Sequence, residues 1–135
     1  MYILEHYNKW DASGIGTNLS QLLDDLANEA PSYIDIEYND IVIGWVRWGS
    51  NNGMAYLDGH YAVCAEAPDV WYWPNWQDDI AVQHEMSHLF GAQDTVESCG
   101  NCNDECIMDY WYAWQGYAHW EWYHRSIIDD NIWRQ

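Results

Sequence analysis

The sequence predicts a small α+β domain, and three observations carry the prediction. The chain has 135 residues, which suits one domain spanning 1–135 that buries roughly two-thirds of its unfolded surface. Leu19, Leu22, Leu23 and Leu26 recur at i, i+3, i+4 and i+7, the spacing that lays one apolar stripe along a helix. The runs "YIDIEYNDIVIGWVRWG" and "MAYLDGHYAVCAE" are instead rich in β-branched and aromatic residues, the composition of strands. The resulting order is strand, helix, strands, helix, loop, helix, an α+β pattern.

Each element has a local reason. "MYILEHY" alternates apolar and polar positions, so it reads as a first strand. "SGIGT" is a turn, and Thr17 or Asn18 caps the leucine-striped helix that Pro31 closes. Asn18-Leu19-Ser20 also has the form of a glycosylation sequon, but a helix cap is the reading taken. The stretch 33–49 reads as one or two strands and "GSNNG" as a turn. The stretch 54–66 follows as a strand, or as a hairpin broken at Asp58-Gly59. After the loop "APDVWYWPNW" a second helix is expected over 78–90. Asp78 and Asp79 sit at its positive end, and Gly91 suits a left-handed stop. "TVESCGNCNDEC" is a polar loop. A closing helix then puts Trp120, Tyr123, His124 and Ile127 on one face.

Composition excludes several classes of function. Lys and Arg total 4 against 22 Asp and Glu, a net charge of −18, so a nucleic-acid partner finds no basic footprint. Anionic membranes are disfavoured for the same reason. No segment approaches the roughly 18 apolar residues of a membrane span. The start of the chain lacks the basic, apolar pattern of a secretory signal. A soluble protein is expected, either intracellular or one whose export signal lies outside this sequence. With 11 Trp and 11 Tyr against one Phe, the aromatics suit wet clefts and contact surfaces as well as a core.

The segment "HEMSHLFGAQD", from His84 to Asp94, carries the chemistry. Residues i and i+4 share a helical face, about 6 Å apart along the axis. His84 and His88 can therefore turn one ring nitrogen each to a single ion. Glu85 is offset by about 100° and reaches a water on that ion without binding it. Gly91 lets the chain turn back and deliver Asp94 as a third ligand. Two nitrogens and one carboxylate oxygen leave a fourth position for water, as catalytic zinc requires. Zinc lowers the pKa of such a water toward about 7, and Glu85 can take its proton.

This segment resembles the extended zinc motif of the metzincin metallopeptidases, and its Asp-ended form is most similar to the snapalysin-like branch. That clan carries a methionine turn after the motif, and "CIMDY" stands in that place. The resemblance implies that Met108 underlies the metal and that Tyr110 leans toward the metal or steadies the oxyanion. It implies a twisted mixed sheet with an active-site helix and a C-terminal helix, and a zinc endopeptidase that hydrolyses peptide or protein substrates. It also implies that substrate lies extended along an edge strand, for which "GMAYLDGHYAVCAE" is the candidate, with "WYAW" walling the cleft. The chain departs from the clan in its small size and in the short stretch between Asp94 and Met108. Metzincins are commonly exported, so the resemblance favours an extracellular protein, with a cytoplasmic one as the alternative.

Cys64, Cys99, Cys102 and Cys106 are expected either to form two disulfides bracing the loop, the reading slightly favoured, or to hold a second, structural zinc. Archaemetzincins resemble this chain in placing a cysteine two residues before the turn methionine. The acidic loop could also hold calcium. Glu121 is a rival third ligand for the catalytic zinc, ranked below Asp94, and His119 and His124 are read as structural. The rival function is a zinc-holding binding or structural module that has lost hydrolysis and uses its aromatic surface for protein contacts.

Overall fold

The computed structural model describes residues 10–66, 78–95 and 105–132. The expected first strand, the "APDVWYWPNW" loop, Cys99 and Cys102 lie outside them. The described residues form an α+β arrangement of a three-stranded mixed sheet and flanking helices.

Helix α1 spans Leu19–Glu29. Asn18 is its cap, accepting the Gln21 backbone N–H at 3.2 Å, so the sequon-like asparagine does the work of a cap. All four leucines of the stripe are at most 3% exposed. A 3₁₀ turn, Ala30–Ser32, ends the helix with Pro31 in its first positions. Strand β1 is Val42–Val46, β2 is Gly53–Ala55 and β3 is Tyr61–Ala65. The sheet order is β1-β3-β2, with β1 parallel and β2 antiparallel to β3.

Each of the two strand expectations resolves to one of its alternatives, a single strand and a hairpin. Only 42–46 of the stretch 33–49 is a strand. Before it the chain folds on itself, with the Glu37 N–H on the Asp40 carboxylate at 3.0 Å and the Asp40 N–H on the Glu37 carbonyl at 3.1 Å, a local pairing that competes with a ladder. The stretch 53–66 is a hairpin whose second strand is central, so within it only β2 is an edge, with β1 on the other side of β3.

Val63 packs into the α1 leucine cluster. Neighbouring Cys64 pairs with Gly53, which abuts Glu85 of the second helix. Successive strand residues face opposite sides, so β3 is covered on both faces and Ala62 to Ala65 are all buried.

Helix α2 spans Asp78–Leu89, with both expected aspartates in its first turn, and Gly91 stops it at φ +86°. The Asn131 amide donates to the Phe90 carbonyl at 3.0 Å at that end. The short helix α3, Tyr110–Trp114, is capped by Asp109, and α4 runs Trp122–Asn131. The closing helix therefore starts later than its pattern suggests. Residues 117–121 are held by tertiary bonds instead. The Ile107 N–H donates to the His119 carbonyl, the Gln83 amide to the Ala118 carbonyl, and the Trp120 indole to Ser87 Oγ, at 2.8, 3.0 and 2.8 Å. The face that α4 buries is consequently Glu121, His124 and Ile128, whereas Tyr123 is 40% exposed. Ile128 joins a second core cluster of Ile80, Ala92, Cys106, Ile107, Met108 and Ala113. That cluster seats the "CIMDY" turn beneath α2.

Candidate metal centre

Helix α2 delivers His84 and His88 on one face, as their spacing requires, and the carbonyls around them fix the rings. His84 Nδ1 lies 2.8 Å from the Ile107 carbonyl, and His88 Nδ1 lies 2.6 Å from the Ala92 carbonyl. A carbonyl oxygen only accepts, so both Nδ1 atoms carry the hydrogen. In the neutral rings both Nε2 atoms then present lone pairs, and they face each other at 3.2 Å. Asp94 Oδ1 completes the group, 3.1 Å from His84 Nε2 and 3.5 Å from His88 Nε2. Three electron-pair donors aimed at one point repel unless a cation sits among them. Ligands at the usual zinc distances of 2.0–2.1 Å in a tetrahedron lie roughly 3.3–3.4 Å apart. The observed triangle of 3.1, 3.2 and 3.5 Å brackets that value.

Electrostatics read the same way. Burial works against a charge on His84 and on His88, but Asp94, Glu85 and the backbone carbonyls of Ile107 and Ala92 together outweigh it and raise both rings' proton affinity. Asp94 is held far below the usual carboxylate range by its contacts with His84 and His88. Glu85 is the one acidic side chain of α2 that is buried, at 7% exposure. Burial pushes its carboxyl up to about 7, with the two imidazoles pulling the other way. A carboxylate poised near neutrality suits a general base.

The turn after the loop supports this cluster from below. Met108 is fully buried, and its carbonyl accepts the Thr95 N–H at 2.8 Å, which ties the segment bearing Asp94 to the turn. Ile107 supplies the carbonyl that orients His84. Tyr110 lies at the start of α3, 57% exposed, on the wall of the same cavity.

That cavity has a volume of about 570 Å³, within the size range of small-ligand clefts. It brings together His84, Glu85, His88, Asp94, Tyr110 and the inner rim of β2 from Asn51 to Ala55. Sequence reasoning missed Gly53. A Cβ there would stand 2.5 Å from Glu85 Oε1, so only glycine leaves room for that carboxylate. The signal was present as the second glycine of "GSNNG", but a turn explained it equally well.

The cysteines depart from the disulfide expectation. Cys64 and Cys106 are both free and buried. They lie in different places: Cys64 is on β3 beside Glu85, where burial and then the Glu85 charge hold its thiol well above the usual thiol range, while Cys106 belongs to the second core. Among the described residues the group around Cys106 is completed by Glu121 and His124. Glu121 therefore sits with Cys106 and His124, apart from the three ligands of the first cluster, and His124 has polar partners rather than a purely packing role. No helix of the described residues is long and apolar enough to cross a membrane. No family model, curated protein or solved structure matches this chain.

Proposed function

We propose that this protein is a zinc-dependent endopeptidase of metzincin type, with His84, His88 and Asp94 as ligands and Glu85 as general base. The observation that carries the reading is the convergence of three lone-pair donors on one point at the wall of a cleft that also holds a buried carboxylate near neutrality. A zinc ion at that point supplies an acidified water and a Lewis acid for the scissile carbonyl.

The chain's own residues do the rest. Glu85 takes the proton of the attacking water and passes it to the leaving nitrogen, work typically worth about 10² to 10⁴ in rate. Strand β2 is the edge nearest the site, so an extended substrate pairs with its free backbone groups. Tyr110, which lines the same cleft, steadies the developing oxyanion. Free Cys64 and Cys106 favour a compartment that keeps thiols reduced over the exported, disulfide-braced alternative.

The alternative is a zinc-holding module that contacts partners through its aromatics without hydrolysis. Its support is the exposure of Trp48, Trp111 and Trp122, at 65%, 59% and 63%. Cleavage of a quenched peptide library by the zinc-loaded chain separates the two. The expected result is turnover that chelator abolishes and that Glu85→Gln cuts by at least 10² with zinc retained. Full zinc without turnover supports the module, and turnover surviving Glu85→Gln removes the mechanism.

A further inference from the structure

Behind the cleft lies a second polar cluster, sealed in the core. Cys106, Glu121 and His124 are 1%, 4% and 2% exposed. Their ligand atoms all lie within 4.8 Å of one another. His124 Nδ1 is 3.4 Å from Cys106 Sγ and 2.9 Å from Glu121 Oε1. Beyond that His124 contact, the buried Glu121 oxygens have no hydrogen-bond partner among the described residues. Glu121 stands at the N-cap of α4 yet makes no side-chain cap, and turns inward instead. Burying a carboxylate against a single imidazole is costly, and a cation among the three groups would offset that cost.

We propose that Cys106 Sγ, Glu121 and His124 Nδ1 form a second metal centre, structural in role, for zinc or a similarly thiophilic divalent ion. A thiolate, a carboxylate and a neutral imidazole balance the charge of such an ion, and a neutral site is the kind a core tolerates. Bidentate ligation by Glu121 satisfies both orphaned oxygens. Cys106 Sγ already accepts backbone N–H groups from Met108 and Glu121, each at 3.4 Å, the contacts that stabilise a ligating thiolate. His124 also hydrogen-bonds to the Gln93 backbone, as a metal-bound imidazole does through its outer partner.

A Cys-His-Glu nucleophile triad is excluded by the same geometry. A triad base reaches nucleophile and carboxylate through different ring nitrogens, whereas here Nδ1 faces both, and the burial leaves no path for a substrate. The ion would join three pieces of chain: the Met108 turn, the first turn of α4, and the backbone next to Asp94.

Cobalt(II) distinguishes this centre from the first, which contains no sulfur. Metal-free wild type titrated with cobalt(II) should bind two equivalents, one of them producing the near-ultraviolet thiolate-to-cobalt charge-transfer band. Asp94→Ala should bind one equivalent and keep the band, so failure of the first centre leaves this one testable. Cys106→Ser should lose the band, and Glu121→Gln and His124→Gln should weaken its binding at least tenfold. Wild type that binds cobalt(II) without a thiolate band overturns the proposal, with no variant needed. So does a band that survives Glu121→Gln and His124→Gln but is lost in a Cys99→Ser, Cys102→Ser double variant, which would indicate a four-cysteine site.

Discussion

Gly53→Ala tests the seat of the general base without touching a proposed ligand. Gly53 does not have a positive φ, so its backbone accepts alanine without strain. The obstacle is Glu85 alone. The added Cβ would lie 2.5 Å from Oε1 and 2.6 Å from Cδ, where ordinary contact begins at 3.4 Å. The carboxylate must therefore retreat by about 1 Å, a misplacement that costs on the order of 10² in rate at a reacting centre. Zinc content should stay full, because the three atoms nearest that Cβ all belong to Glu85 and none to His84, His88 or Asp94. The assay is turnover of a quenched peptide, with metal analysis and thermal unfolding on the same samples. A double-mutant cycle sharpens it. In a Glu85→Ala background the clash is gone, so Gly53→Ala should leave turnover unchanged and should stabilise by about 0.4–1 kcal/mol through the unfolded chain. Undiminished turnover in Gly53→Ala, or equal losses in both backgrounds, would refute the reasoning.

Three further outcomes are expected. Asp94→Ala should lose most of its bound zinc, measured by metal analysis after dialysis, while Glu121→Ala keeps the zinc of the first centre; the reverse pattern would reassign the third ligand. Tyr110→Phe should cost less turnover than Glu85→Gln, because it removes only one oxyanion contact; an equal loss would give the tyrosine a larger part. The chelated protein should lose stability as pH rises from about 4.5 through neutrality. His84 and His88 have raised proton affinities, so their contribution is present below their ordinary 6.5 and fades as they deprotonate. Glu85, raised from 4.5 to about 7, adds a loss between those two values, where the unfolded chain ionises and the buried carboxyl does not. His124, whose affinity is lowered by burial, opposes the trend only below 6.5. Thermal unfolding of the chelated chain against Asp94→Asn reads the difference, and coincident profiles would show that the cluster does not carry it.

Some of this protein is written locally in its sequence. The leucine stripe, the Asn18 cap, the reach of α2 and the stop at Gly91 each depend on residues within a turn or two, so spacing and propensity suffice to place them. The same holds for His84 and His88, because a helix brings i and i+4 together whatever surrounds it. Asp94 needed only one sharp turn more. Other features depend on distant partners. Which strand of the hairpin is central follows from the pairing of β3 with β1, and why residues 117–121 leave the helix and α4 buries Glu121 and His124 follows from bonds to Ile107, Ser87 and Gln83. No local pattern encodes those. The ring tautomers of His84 and His88 are set by the carbonyls of Ile107 and Ala92, and the room for Glu85 by a glycine on another strand. Cys106, Glu121 and His124 looked like a loop cysteine, a rival ligand and a packing histidine. Only the burial of all three around one point turns them into a candidate centre, because ligand geometry is a property of space and not of sequence separation.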